Sequence, residues 1–455
     1  MQIDIIRTKS PGTRSHLISA GGVAVVIDPP RDIDRVLNLA LERRVVIALV
    51  AETHLHHDYA SGGLELSRRV GAPYVMPAGT QVDYERVPAG DGDVLTAGPM
   101  RLSVVHTPGH THHHVSYVLA DAAGRVRAVF TGGSMLYGGT GRTDLDGPEH
   151  TLTLSRAQFH SVRRLATSLP AGTAVYPTQG FGSFCSATTT VSTQSTLGEQ
   201  RWVNPALTLA EDAFVEQLLH GLSAYPDYYQ RMEALNAAGP PPVHLASPRE
   251  MRADELVRRI ADGEWVVDLR PRTDFAAGHL AGALNFELSN SLLPYLGWLY
   301  DWSSPLTLIG ASERQVADAR RLLVRIGIDR LAGAALGEPA ALAGGDALAS
   351  YDVSDFAGLA EALTDGPVAA LDVRRHDERR WGAVRGSHHI QLHELPTRLD
   401  ELPDDELWVY SGSGFRASIA ASMLARAGRR VVLVNDRYGL ADEGAAGRNF
   451  GHDPV

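Results

Sequence analysis

The chain has 455 residues, more than one hydrophobic core usually holds, so two to four domains are expected. It is 44% hydrophobic and 21% charged, an ordinary globular balance, and 42 basic against 53 acidic residues give a net charge of −11, which excludes nucleic acid or an anionic membrane as a partner for the whole surface. Cys185 is the only cysteine, which excludes an intrachain disulfide; with no signal-peptide pattern at the start and no apolar run of membrane-spanning length, a soluble cytoplasmic protein is expected.

Taken in order, the first half alternates short β-rich runs with loops and helical patterns. Strands are expected at 3–6, 17–27, 45–50, 102–106, 115–119 and 128–131, and helices at 31–43, 62–70, 153–169, 212–222 and 227–236. Many strands with interspersed helices predict a two-sheet sandwich flanked by helices. The proline-rich stretch 237–248 reads as a linker.

Beyond it the chain repeats itself. Val266-Val267-Asp268-Leu269-Arg270 is followed by Gly278 and Gly282, and Ala370-Leu371-Asp372-Val373-Arg374 by Gly382 and Gly386, with spacings of 10 and 14 residues from the aspartate in both copies. Each copy opens on an apolar strand and later adds another strand and a long helix, which predicts two α/β modules with parallel sheets, each of roughly a hundred residues. The Gly/Ala-rich stretch 333–346 is the seam. Three domains are expected, at 1–240, 249–345 and 350–455. Asp268 and Asp372 are read as structural, holding loop amides at strand ends.

The chemistry concentrates in the first domain. Thr53-His54-Leu55-His56-His57-Asp58-Tyr59 follows an apolar strand, so His54, His56 and Asp58 alternate along an extended loop and turn toward one space. Two imidazoles and a carboxylate suit zinc or iron. A second group, His106-Thr107-Pro108-Gly109-His110 and then His112, His113 and His114, follows another strand, and its Pro-Gly turn directs His110 back toward the sheet end. His112, His113 and His114 are read as surface or supporting residues able to substitute as ligands.

These two motifs resemble those of the metallo-β-lactamase superfamily, H-x-H-x-D-H followed by T-P-G-H-T. The resemblance covers about the first 240 residues and implies an αββα sandwich with a metal site at one sheet edge, on His54, His110, His56 and Asp58 here. The chain departs from the pattern at three places: Tyr59 replaces a histidine, Gly133 in Phe130-Thr131-Gly132-Gly133 replaces an aspartate, and Gln179 replaces a late histidine. These losses disfavour a bridged two-metal site and leave a single divalent metal. Gly139-x-Gly141-Arg142-Thr143-Asp144-Leu145 and the stretch 180–185 are similar to the persulfide dioxygenases and their rhodanese fusions. That resemblance implies one Fe(II), held by two histidines and an aspartate, oxidising a small-molecule persulfide or thiol-derived substrate to sulfite. It also implies substrate contacts at Tyr59, Arg142 and Cys185, and a homodimer; Cys185 reads equally as a small buried hydrophobe.

The repeated modules resemble rhodanese sulfurtransferases, which carry a cysteine on a six-residue loop entering a helix, where backbone N–H groups hold the persulfide. In the second copy the loop is Ser411-Gly412-Ser413-Gly414-Phe415-Arg416: the cradle glycines Gly412 and Gly414 and the closing Arg416 are present, with Ser411 at the nucleophile position. A serine hydroxyl stays un-ionised near neutrality and cannot carry a sulfane sulfur. The first copy reads Gly310-Ala311-Ser312-Glu313-Arg314, with neither nucleophile nor cradle. Three readings follow: a persulfide dioxygenase-type enzyme with sulfurtransferase-like modules, a thioester hydrolase of the glyoxalase II type, or a non-catalytic persulfide- or anion-binding protein.

Overall fold

The computed structural model describes residues 1–186, 192–366, 368–438 and 450–451, and the chain divides into two compact units. The first comprises Met1–His244 with Arg321–Asp329; the second comprises Leu245–Arg320 with Arg330–Val455.

In the first unit the β-branched and aromatic runs become strands. One six-stranded sheet takes, in sequence order, β1 (Gln2–Thr8), β2 (Thr13–Ala20), β3 (Val23–Ile27), β4 (Val46–Ala51), β5 (Tyr74–Pro77) and β6 (Val87–Ala89). The other contains β7 (Val94–Ala97), β8 (Met100–His106), β9 (Val115–Ala120), β10 (Val126–Gly132), β11 (Ala174–Pro177) and β12 (Ser195–Thr196), again as sequence neighbours. The single strand expected over 17–27 is two strands of a hairpin. Gly21 and Gly22 adopt φ of 61° and 80°, the positive angles a two-residue hairpin turn asks of both central residues.

Alternation along these strands builds three layers of core. Ile18, Val25, Leu49 and Val75 from one sheet meet Leu102, Val104, Tyr117 and Phe130 from the other between the sheets. Val26, Val50 and Tyr74 point the opposite way, onto the helices Asp34–Arg43 and Gly63–Val70 through Val36, Ala40, Leu64 and Leu66. Val118, Val129 and Val175 do the same on the far side against the helices Thr151–Ser168 and Glu211–His220, through Phe159, Val162, Leu165 and Phe214. This is the αββα sandwich, and each fully buried Leu, Ile or Phe contributes roughly 1.5–3 kcal/mol to holding it. β3 and β4 run parallel, as do β10 and β11, so the loops leaving β3, β4, β8, β10 and β11 bring Asp28, the 53–59 segment, His110, Gly133 and Gln179 together.

The second unit holds the repeat. β13 (Trp265–Asp268), β14 (Leu284–Asn285), β15 (Leu306–Gly310) and β16 (Gly333–Leu336) form a parallel sheet in the order β14-β13-β15-β16. β17 (Asp352–Ser354) and β18 (Val368–Asp372) are followed by β19 (Ala383–Val384), which lies outside the second parallel sheet. With β20 (His388–His389), β21 (Glu406–Tyr410) and β22 (Val431–Val434), that sheet is ordered β17-β22-β21-β18-β20. The repeated spacing has a physical cause. In the first copy Asp268 accepts from the Arg270 backbone N–H at 3.0 Å and pairs with its guanidinium at 2.7 Å, and Arg270 donates to the Gly278 carbonyl at 3.0 Å. In the second, Asp372, Arg374 and Gly382 repeat these contacts at 3.0, 2.8 and 2.7 Å. Among the described residues no helix is long and apolar enough to cross a membrane.

Candidate functional site

At the strand-end edge of the first unit four imidazoles are packed together. His54 lies with its ring centroid 4.3 Å from His56, 4.9 Å from His110 and 4.9 Å from His114, and all four are buried. Their hydrogen bonds fix the tautomers. Thr53 donates its hydroxyl to Asp28 at 2.9 Å, so its oxygen accepts from His54 Nδ1, also at 2.9 Å, leaving the His54 Nε2 lone pair toward Gln179 at 3.4 Å. His110 donates from Nδ1 to the Arg142 carbonyl at 2.7 Å, and its Nε2 has no partner among the described residues. Burial, reinforced by the neighbouring imidazoles, holds His54 well below the usual histidine range, and burial lowers His110 to about 4. Both are neutral at pH 7 with Nε2 unprotonated, the form that binds a metal.

His56 also belongs to a second cluster. Its Nε2 lies 3.0 Å from Glu52 and 3.3 Å from Asp28, while its Nδ1 faces Gln179 at 3.3 Å. Burial opposes its charge, but the Asp28 carboxylate and the bonds to Asp28 and Glu52 prevail and raise it to about 10. Asp28 is held down to about 2: burial works against its charge, while His56 and the hydroxyl and amide donors of Thr178 and Thr53 outweigh it. Burial lifts Glu52 to about 7, and it accepts from Tyr74 at 3.0 Å and from Ser61. Asp28, Glu52 and His56 have mutually close ligand atoms, but these atoms already pair with one another and with surrounding donors as an internal ion pair.

The remaining candidates fall as follows. Asp58 is buried; Ser183 donates to one of its oxygens at 2.7 Å, and the other has no partner among the described residues. Its hydrogen-bond partner is thus in the 183–185 segment. The Tyr59 ring packs 4.4 Å from His56, and its hydroxyl reaches the Asp28 carbonyl at 3.4 Å. Cys185 is fully buried, its N–H bonded to Ser183 at 3.1 Å, and burial pushes its thiol well above the usual range, the state of an inert core thiol. Arg142 spends its guanidinium on Asp144 and on the carbonyls of Phe184 and Ser223, at 2.6–2.9 Å. Tyr59, Cys185 and Arg142, implied as substrate contacts by resemblance, are thus built into the wall, where Arg142 positions His110 through its carbonyl. His112 is half-exposed and bonded to Asp146 at 2.6 Å, whereas His114 is fully buried. Its Nδ1 meets Thr107 at 2.9 Å and its Nε2 accepts from the Gly133 N–H at 3.1 Å. Asp28 and Glu52 escaped the motif reading; their only signal was a carboxylate following each of two apolar strand runs, at 23–27 and 46–51.

In the second unit, the second copy keeps its loop. Gly414 adopts φ 79° at the head of the helix Phe415–Arg426, and Arg416 makes a bidentate bond to Glu378, with both contacts at 2.6 Å. Gly412 lies close under Arg416: a Cβ there would be 3.2 Å from the guanidinium, which would have to give slightly. Ser411 is buried and its oxygen accepts from the Ala417 N–H at 3.3 Å. Arg272 of the first copy reaches the Ser413 carbonyl at 3.3 Å. In the first copy the side chain of Gln315 takes the Ala311 N–H at 2.7 Å, so a side chain caps the amide where a cradle would leave it open.

A helix-flanked ββ sandwich with histidines gathered at one edge, joined to a repeated parallel-sheet module, defines a metallo-β-lactamase-fold protein with rhodanese-like domains. The metallo-beta-lactamase superfamily profile matches residues 12–177, and the rhodanese-like domain profile matches 252–331 and 356–437. The human protein named Persulfide dioxygenase ETHE1, mitochondrial, is 33% identical over 238 residues, spanning 50% of this chain and 78% of that protein. A hydroxyacylglutathione hydrolase of Prochlorococcus marinus (strain MIT 9211) is 32% identical over 164 residues, 34% of this chain and 60% of its own. Among solved structures, the metallo-beta-lactamase from Staphylococcus aureus subsp. aureus COL aligns with TM-score 0.66 and 26% identity, covering 74% of this chain and 99% of that one. The chain belongs to the persulfide dioxygenase family of the metallo-β-lactamase superfamily, and its fold is that of metal-dependent enzymes.

The iron site implied by resemblance can be tested on the donors present. His54 and His110 offer two neutral imidazole nitrogens, but the third ligand, a carboxylate at position 133, is missing and has no room. A Cβ built on Gly133 would lie 2.6 Å from the His110 Cγ and Nε2, closer still to Cδ2; one built on Gly141 would lie 2.6 Å from His110 Nδ1. The ring is wedged between two glycines. The residues present do not fit a centre of two histidines and one carboxylate.

Proposed function

We propose that this is a sulfur-metabolism protein that binds persulfide- or thiol-derived ligands without the iron-dependent oxidation of its family. The observation that carries this reading is the His110 imidazole lying in the space a Gly133 side chain would need. Membership of the persulfide dioxygenase family and the rhodanese-like modules support the sulfur context. Ser411 supports the absence of transfer chemistry, while Gly412, Gly414 and the Glu378-anchored Arg416 support retention of an anion-binding loop. The hydrolase reading calls for two metals, and no observation here favours it over binding; zinc near two per chain would revive it.

The test is oxygen consumption by protein reconstituted anaerobically with Fe(II) and given glutathione persulfide. No uptake above the iron–buffer control is expected; uptake that disappears in His54→Ala would overturn the proposal. In parallel, titration with thiosulfate is expected to saturate for the native chain and not for Arg416→Ala, and Ser411→Cys is expected to gain thiosulfate-to-cyanide sulfur transfer.

A further inference from the structure

A cavity of the first unit, about 780 Å³, is lined among others by His57 and Thr111, the sequence neighbours of Asp58 and His110. It is large enough for a thiol cofactor-sized ligand. Its charge is unusual for a pocket meant to receive an acidic peptide thiol. Asp146 and Glu233 supply two carboxylates, and among the described lining residues there is no arginine or lysine. Asp146 is fixed by the backbone N–H of His112 at 2.7 Å and its ring at 2.6 Å, with His57 at 3.7 Å. Burial, and then the charge of Asp146, raise the carboxyl of the otherwise exposed Glu233 above its ordinary range, so the two acids feel each other's charge across the cavity. The other polar side chains of the wall are Thr80, Gln81, Thr111 and Gln230, with the rings of His57, His112, His113 and His150.

We propose that the carrier received in this cavity is an uncharged thiol or persulfide, recognised through its hydroxyl and amide groups, and that carriers bearing carboxylates are selected against. This rests on the reading of the protein as a binder of thiol-derived ligands, and it names their class. Hydroxyl and amide groups can pair with Gln81, Gln230 and the two threonines at no electrostatic cost. A carboxylate about 6–8 Å from Asp146 or Glu233, at a dielectric between those of protein and water, loses about tenfold in affinity. The acids thus act as a filter by repulsion, the usual way of rejecting a near-relative of a ligand.

The test uses two thiol analogues that cannot oxidise, S-methylpantetheine (neutral, with hydroxyl and amide groups) and S-methylglutathione (anionic), titrated calorimetrically into the full chain at low salt. The neutral probe is expected to bind at least tenfold more tightly, and Gln230→Trp, at an exposed position on the wall, to abolish its binding. Glu233→Gln is expected to raise affinity for S-methylglutathione about tenfold while moving S-methylpantetheine less than twofold, a split that mere loosening of the fold would not produce. Equal or tighter binding of S-methylglutathione by the native chain would overturn the charge filter and leave the binding function standing. Binding of neither probe at millimolar concentration would overturn both.

Discussion

Position 133 is where the structure makes its most exposed claim. Gly133 lies under the His110 ring, and a Cβ there would approach two ring atoms to 2.6 Å, well inside van der Waals contact. Gly141 closes the other side, and the ring's Nδ1 is tied to the Arg142 carbonyl at 2.7 Å, so the imidazole cannot move without losing a buried hydrogen bond. Overpacking of a well-filled site costs about 1–3 kcal/mol, and an unmade buried bond about 1–3 kcal/mol more. Gly133→Ala should therefore destabilise the first unit by about 2 kcal/mol, a fall of roughly 4–8 °C in melting temperature for a unit of this size. Gly133→Asp adds the burial of a carboxylate and should cost at least as much. Thermal melts of both variants with and without Fe(II), and iron content after desalting, measure this directly. If Gly133→Ala melts with the native protein and Gly133→Asp retains one iron per chain, the ring yields easily, and the argument that the site cannot hold a third ligand fails.

Two further outcomes test the cores. His16 is buried in β2 between Phe130 and Tyr176, at centroid distances of 5.1 and 5.6 Å, and among the described residues neither ring nitrogen has a hydrogen-bond partner. Burial lowers its pKa to about 3, so it is neutral when folded, and only the unfolded chain takes up a proton as pH falls below about 6.5. Stability present above that pH is therefore lost between about 6.5 and 3, at up to about 1.4 kcal/mol per pH unit. Urea melts of His16→Leu across that range should show a shallower acid slope than the native chain; an identical slope would discount His16. In the repeat, Asp372 binds Arg374 at 2.8 Å, Arg379 at 3.2 Å and the Tyr410 hydroxyl at 3.0 Å, whereas among the described residues the Asp268 side chain binds Arg270 alone. Asp372→Ala should cost about 3–5 kcal/mol by stranding buried charge, and Asp268→Ala measurably less; equal denaturation midpoints for the two variants would refute the ranking.

Much of the fold was legible before any coordinates. The apolar runs at 3–6, 45–50 and 102–106 are strands because β-branched residues at alternating positions have one packed solution when sheets face each other. The identical 10-residue intervals announced the modules, since the Asp–Arg pair must meet the same glycine carbonyl in both. The hairpin hidden in 17–27 was not seen because Gly21-Gly22 interrupts a run whose hydrophobicity continues on both sides. In the site, the motif spacing brought His54 and His110 together but gave no direction to individual rings. Alternation along a loop suggested that His56 and Asp58 share a space with His54. His54 and His56 do lie together, ring centroids 4.3 Å apart and both facing the Gln179 amide, but His56 also turns its Nε2 to Asp28 and Glu52, and Asp58 accepts from Ser183.

By itself the sequence determined which donors exist. Gly133, Gln179, Tyr59 and Ser411 remove particular atoms, and no folding can restore a carboxylate or a thiol that the chain does not encode. Only the tertiary structure decided what fills the vacated positions, because that depends on packing between loops far apart in the chain. His110 occupies the space above Gly133, and His114, read on sequence as a surface or supporting residue, is buried and accepts the Gly133 N–H. Burial then sets the charges, leaving His54 and His110 neutral while Asp28 keeps His56 protonated.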